Sequence, residues 1–369
     1  MADCEQEKRS LPAPQPREIQ VAVGATGLCG SDLHYYNHFR NGDILVREPL
    51  SLGHESAGTI VAVGSDVQGT DFKVGDKIAL EVGVPCGACD LCKEGRYNIC
   101  KKMSFRSSGK SFPHFQGTLQ ERINHPAAWC HKMPEGMSLK LGALIEPLSV
   151  ALHASRRANL PKGNTVLVLG AGAVGLLAAA IARVYGAKTV ILADIDQGRI
   201  EFGVQKRFAT GNFLVPKRRG ADIDENLAIA KETAAALGEV KGSDGQPIGE
   251  FDAVFECTGV PSCVQAGIYA TRPGGKLMLI GMGTPIQTLP LGAAALREVD
   301  VLGVFRYANT YPEGIRILSS NDPDGPDFAA LVTHRFKGLE HIPDAFQMAG
   351  RTQDDSGKLV LKVMIDLAA

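Results

Sequence analysis

Four cysteines in the sequence, Cys86, Cys89, Cys92 and Cys100, follow the spacing C-x2-C-x2-C-x7-C. Thiolates this close together suit a closed tetrahedral zinc site, and such a site has no open position for a substrate. A metal there is therefore expected to brace a loop. A redox C-x-x-C is disfavoured, because the βαβ context of a thioredoxin-like motif is missing around it. A second constellation is Gly170-Ala-Gly172-Ala-Val174-Gly175, with Asp194 nineteen residues after the last glycine. Gly170 permits a tight turn, Gly172 lets backbone approach a pyrophosphate, and Gly175 lets helix and strand come close. The free N–H groups and dipole of a helix N-terminus would then face the phosphates. Asp194 would accept from ribose hydroxyls and repel a 2′-phosphate, which predicts NAD. Arg199 complicates this choice, since an arginine could receive that phosphate.

A third set is scattered: Cys29 within Gly27-Leu-Cys-Gly-Ser31-Asp-Leu-His34-Tyr35, then Gly53-His54-Glu55, then Leu144-Ile-Glu146-Pro-Leu. A catalytic zinc needs about three protein ligands and an open position. Cys29 and His54, with Glu55 or Glu146, have the right ligand chemistry, but spacing alone does not show that they converge. Taken singly, each has a plainer reading: a small buried thiol, a hydrogen-bonded histidine, a surface acid, an acid at a helix start.

These groups need elements to hold them. Ile19–Val23, Ala57–Val63 and Asp76–Glu81 are short β-branched runs punctuated by turn residues, so this part is expected to be β-rich. From Asn164 onward the pattern changes. Thr165–Leu169, Thr189–Ala193, Phe251–Glu256, Lys276–Ile280 and Val299–Phe305 are strand-like, and Val174–Tyr185 is an apolar helix. Strands alternating with helices predict a doubly wound parallel sheet. Gly242–Gly249 is expected to be a surface loop. The predicted fold class is α/β: a β-rich lobe over 1–148, a dinucleotide-binding lobe over 149–307, and a return to the first lobe over 308–369. A cleft between two such lobes is a common place for a ligand.

The chain has 369 residues, of which 44% are hydrophobic, with 39 Lys and Arg against 40 Asp and Glu. That balance gives no electrostatic case for nucleic acid or an anionic membrane. No apolar run reaches membrane-span length, and MADCEQEKRS lacks the apolar core of a signal peptide. A cytoplasmic setting is expected, with the cysteines reduced.

Taken together, GLCGSDLHYY, LGHESAGTIVAVG, ALIEPLSVALHA and GVFRYANTYP, with the glycine turn and the four-cysteine loop, resemble the zinc-dependent medium-chain dehydrogenase/reductase family from about Arg17 to near the C-terminus. The likeness is to its polyol branch, the sorbitol, xylitol and arabinitol dehydrogenases, and above all to fungal-type sorbitol dehydrogenases that keep the structural zinc loop. Alcohol dehydrogenases of the family carry Cys where this chain has Glu146. The resemblance implies a GroES-like catalytic lobe, a Rossmann lobe, NAD, two zinc ions per chain and a homo-tetramer. It implies that Cys29, His54 and Glu55 ligate the catalytic zinc and that Cys86, Cys89, Cys92 and Cys100 hold the structural one. Glu146 would contact zinc-bound water or substrate, and Ser31 and His34 would relay a proton. Tyr35, Arg306 and Tyr307 would contact substrate hydroxyls. Val174, Asp194, Arg199, Ile280, Gly281, Met282, Val304 and Phe305 would contact the cofactor.

The implied reaction is oxidation of a secondary polyol hydroxyl to a ketose. A threonine-type alcohol dehydrogenase shares the zinc motifs, but a guanidinium and a phenol in the VFRY segment suit several hydroxyls better. A silent zinc and dinucleotide binder would bind cofactor without reducing it. A zinc-free quinone reductase would not need Cys29 and His54. In one respect the chain departs from the family, which usually opens with a strand pair. This chain starts too late to supply it, and the Pro-rich MADCEQEKRSLPAPQP is expected to be disordered, leaving a sheet edge uncovered.

Overall fold

The computed structural model describes residues 5–67, 71–242, 244–320 and 322–367. Chain contacts divide it into two compact units, 1–149 with 308–321 and 328–369, and 150–307 with 322–327. The chain passes from one to the other within the helix Ile145–Ala158. No helix among the described residues is long and apolar enough to cross a membrane.

The first unit is built on a seven-stranded sheet around the strand Glu18–Gly27. One edge of that strand pairs antiparallel with Glu55–Val63, from Ile19↔Val63 to Gly27↔Glu55. Its other edge is shared: Glu18–Ala22 meets Arg122–Pro126, and Ala25–Gly27 meets the last strand, Lys362–Asp366. Alternate residues Ile19, Val21 and Val23 point into a core with Ile60, Ile78 and Leu80, as the period of two requires. Ile365, Val363 and Phe346 form a second cluster with Leu28 and Leu119. The C-terminal segment thus completes the sheet begun by the first strand.

The second unit is a six-stranded parallel sheet whose two central strands are Thr165–Leu169 and Phe251–Glu256. Both are almost wholly buried, which is why they are continuous apolar runs with no alternation. Thr189–Asp194 follows on one side, and Thr271–Leu279 with Asp300–Gly303 on the other. The predicted strands and the helix, observed as Ala173–Val184, all form. Gly211–Leu214 adds an edge strand that the sequence reading left out.

The N-terminal expectation needs correction. Residues 5–15 carry no regular structure, but Pro12 to Pro16 are held in place. Gln20 and Asn124 side-chain amides donate to the Pro12 carbonyl at 3.3 and 3.0 Å, and the Asp66 N–H donates to the Pro16 carbonyl at 2.9 Å. Backbone carbonyls that find donors at a sheet margin fix an extended Pro-rich stretch without adding a strand. Met1 to Cys4 lie outside the described residues.

A close crossing in the sheet is at Gly58, where a Cβ would lie 2.3 Å from the Ala22 carbonyl oxygen. Backbone cannot yield as a side chain does. Gly58→Ala is therefore expected to cost about 1–3 kcal/mol, seen as a lowered melting temperature with no loss of metal per folded chain.

Candidate metal and dinucleotide sites

The register Gly27↔Glu55 decides the first site. The first strand ends where its neighbour begins, so Cys29, two residues past Gly27, comes beside His54 and Glu55. One ligand atom from each of these three residues lies within 4.8 Å of the others. Cys29 is half-buried at the start of the helix Gly30–His38, and His54 and Glu55 are buried.

Two residues that the sequence reading passed over hold this group. Asp32 is fully buried and lies in the third position of the helix. Its carboxylate accepts from the Cys29 N–H at 3.1 Å, the Gly53 N–H at 3.1 Å, the His54 Nδ1 at 3.2 Å and the Ser107 hydroxyl at 2.7 Å. Burial opposes charge on both Asp32 and His54, but their mutual attraction wins, holding the carboxyl below its ordinary value and the imidazole well above its own. With Nδ1 donating to Asp32, Nε2 is the nitrogen left for a metal, the usual carboxylate–histidine arrangement behind a metal ligand.

The other missed residue is Lys362, 5% exposed. Its ammonium is 2.7 Å from both Glu55 oxygens and donates to the Leu28 carbonyl at 3.0 Å. Burial works against its charge, while Glu55, Cys29 and Glu146 raise its pKa. A buried charge is tolerated only when paired, and a single ammonium here serves two carboxylates and a thiol. A divalent cation supplies the charge this group lacks, so the donor set fits zinc.

The remaining predicted residues are placed as follows. Ser31 is half-buried and His34 exposed, one helical turn apart on one face. Glu146 is buried near Lys362. Tyr35 is buried, and its hydroxyl accepts the Gly109 N–H at 3.3 Å. In the second unit, Arg306 has a left-handed backbone with its guanidinium 4.9 Å from the centre of the Phe305 ring, and Tyr307 is buried.

At the four-cysteine loop four of the six Sγ–Sγ distances among Cys86, Cys89, Cys92 and Cys100 run from 3.4 to 4.0 Å, and all four sulfurs lie within 4.8 Å of one another. A disulfide needs about 2.05 Å. A tetrahedron with Zn–S bonds of about 2.3 Å has edges of about 3.8 Å, so the four sulfurs already outline a zinc site. The Ala88 and Cys89 N–H groups hold the Cys86 thiol down at about 6, whereas desolvation and the neighbouring sulfurs push Cys92 up to about 12. Four thiolates this close need a cation among them.

The residues expected to contact a dinucleotide line the C-terminal edge of the parallel sheet. Gly170 has φ +102°, and a Cβ on Gly175 would fall 1.8 Å from the Gly170 carbonyl oxygen, whereas one on Gly172 would meet nothing. The turn is thus closed by glycine on its inner side and open on its outer side, as a phosphate requires. Val174 is half-buried in the first turn of the helix that follows. Asp194 ends its strand and accepts from the Ala171 and Asp196 N–H groups at 2.6 and 3.0 Å. Arg199 follows in the next helix. Ile280, Gly281 and Met282 leave the strand Thr271–Leu279, and the Val304 N–H donates to the Leu279 carbonyl, which sets Val304 and Phe305 beside them. A cavity of about 310 Å³ opens here, bounded by Glu256, Gly259, Gly281 and Gln287.

Residues 15–135 match the alcohol dehydrogenase GroES-like domain, and residues 173–320 match the zinc-binding dehydrogenase domain. A sorbitol dehydrogenase of Arabidopsis thaliana is 39% identical over 362 residues, 97% of this chain and 90% of the relative. An L-idonate 5-dehydrogenase of Vitis vinifera is 36% identical, covering 97% and 90%. A solved Sinorhizobium meliloti structure, described as a zinc-binding dehydrogenase bound to NADP, superposes with a TM-score of 0.79 at 25% identity, covering 96% and 94%.

One position tests the geometry directly. A Cβ on Gly27 would lie 2.3 Å from a Glu55 carboxylate oxygen, and Lys362 pins that carboxylate. Gly27→Ala is expected to displace Glu55 and weaken the metal at Cys29 and His54 about tenfold, measured by competition with a chelator, while the four-cysteine metal stays.

Proposed function

Because the chain belongs to the zinc-dependent medium-chain dehydrogenase/reductase family, in its polyol branch, we propose that it oxidises a secondary hydroxyl of a polyol of the sorbitol, xylitol or arabinitol type to the ketose, with NAD as acceptor. The observation that carries this reading is the convergence of Cys29, His54 and Glu55, with the Lys362 ammonium on Glu55 and a buried Glu146 that raises the Lys362 pKa. Zinc held by those three residues would supply the Lewis acidity that makes a hydroxyl acidic at neutral pH, and NAD would supply the hydride acceptor. The chain's own part is to bind, orient and move a proton. Asp32 keeps the His54 imidazole in one tautomer. Ser31 and the exposed His34 carry the proton outward along one helix face. Glu146 and Tyr35 orient the substrate, and Arg306 and Tyr307 add donors suited to several hydroxyls. Cys86, Cys89, Cys92 and Cys100 hold the second zinc.

For the cofactor, the glycine turn takes the pyrophosphate and Asp194 takes the ribose. An Asp at the end of this strand disfavours the 2′-phosphate of NADP, although a related structure carries NADP. The cytosol is the proposed setting, since a loop of four thiols that must stay reduced to hold a metal suits a reducing compartment. Assembly as a homo-tetramer through the edge strand Asp300–Gly303 is also proposed. Val301 on that strand is exposed, as are Ile286, Leu291 and Leu296 nearby in sequence, and an uncovered apolar edge invites pairing.

Wild-type protein is expected to hold two zinc ions per chain and to form NADH from a panel of polyols far better than NADPH. Cys29→Ser or His54→Ala should keep one zinc and lose at least 100-fold in kcat/KM. Unchanged turnover in either variant would falsify the assignment. In sedimentation, the same preparation should show a mass about four times the chain's 39.2 kDa, and a monomer at micromolar concentration would refute the assembly.

A further inference from the structure

Ser107 is buried at 4% exposure and has φ +63°. A non-glycine residue is strained in that conformation, and glycine would adopt it freely. What serine adds is a hydroxyl, and that hydroxyl donates to Asp32 Oδ1 at 2.7 Å. The same oxygen accepts from His54 Nδ1 and the Gly53 N–H. Ser107 is therefore the donor that reaches Asp32 from a distant part of the chain.

The backbone around Ser107 is fixed on both sides. Its own N–H donates to the Phe115 carbonyl at 3.0 Å, and the Arg106 N–H to the Val82 carbonyl at 3.2 Å. The Arg106 side chain is buried, donates to the Gln116 and Asn124 carbonyls and to His125 Nδ1, and sits 4.2 Å from the centre of the Phe115 ring. Immediately before it, Ser104–Phe105 pairs with Gly83–Val84, and the four cysteines all lie between those two short strands. The loop they close thus delivers the segment that ends in Ser107.

We propose that Ser107 is a positioning residue for the Cys29–His54–Glu55 metal: its hydroxyl fixes Asp32, Asp32 fixes the His54 ring, and the affinity of that metal depends on it. The inference rests on the metal reading of these three residues. Partners one step behind a metal ligand change metal affinity by about 10–100-fold when removed.

Two variants separate positioning from mere packing. Ser107→Gly removes the hydroxyl and relieves the backbone strain; Ser107→Ala removes the hydroxyl and keeps it. Each is compared with wild type as the full chain loaded with zinc. The readouts are metal per chain, release of the second zinc to a competing chelator, the visible spectrum of the cobalt-substituted site, and melting temperature. Both variants are expected to keep the four-cysteine zinc, to hold the second metal about 10–100-fold more weakly and to shift the cobalt spectrum, with Ser107→Gly melting no lower than wild type. Wild-type affinity in Ser107→Gly overturns the proposal, as does a loss of affinity that follows loss of melting temperature in both variants. A wild-type chain holding only the four-cysteine metal would instead sink the underlying metal reading, and the role of Ser107 with it.

Discussion

The antiparallel pairing of Glu18–Gly27 with Glu55–Val63 is the constraint on which the first unit depends. Because Gly27 faces Glu55, the end of one strand and the start of the next present a thiol, an imidazole and a carboxylate to one point. A slip of one residue would turn every side chain of a strand to the other face and scatter these three side chains. The register is secured by the apolar alternation of Ile19, Val21 and Val23 against Ile60 and by glycines at the crossings, where no larger residue fits.

Charge is the second constraint. The buried Lys362 ammonium pairs with Glu55 and is held charged by Cys29 and Glu146 as well, and His54 pairs with the buried Asp32 carboxylate. Burying unpaired acids costs several kcal/mol per group, so this arrangement is sound as a receptacle for a dication and poor as a bare core. The four-cysteine loop follows the same rule with sulfur: an arrangement that repels itself when ionised is stable around a metal. In the parallel sheet, by contrast, the chain offers backbone N–H groups and glycine surfaces, which suit an anionic ligand.

How much of this was legible in the sequence depended on distance along the chain. The glycine turn, Asp194 and the four cysteines are local patterns whose spacing carries their geometry, and the strands around them were read within a few residues. Cys29, His54 and Glu55 could be named as ligand types, but their convergence is a matter of register between strands, and family likeness had to supply it. Asp32 stood inside the quoted GSDLH segment and passed as a spacer, although a carboxylate three residues after a thiol at a helix start was a signal. Lys362 left another trace, a lone lysine within the apolar run LVLKVMI. Ser107 left none, since its role comes from a left-handed backbone that no residue type in the sequence announces. Gly211–Leu214 was missed because four residues with a glycine give too short a pattern.

The lysine that neutralises Glu55 comes from the last strand of the chain, whereas the residue it serves lies near the beginning, and the whole parallel-sheet unit is threaded between them. During synthesis, the early ligands emerge and can pair their strands long before position 362 leaves the ribosome. The last strand both supplies the lysine beside Glu55 and closes the edge of the central strand over Ala25–Gly27. A chain lacking the strand Lys362–Asp366 would leave Glu55 without its lysine and Ala25–Gly27 without its partner strand, so the two ends of the first unit stand or fall together.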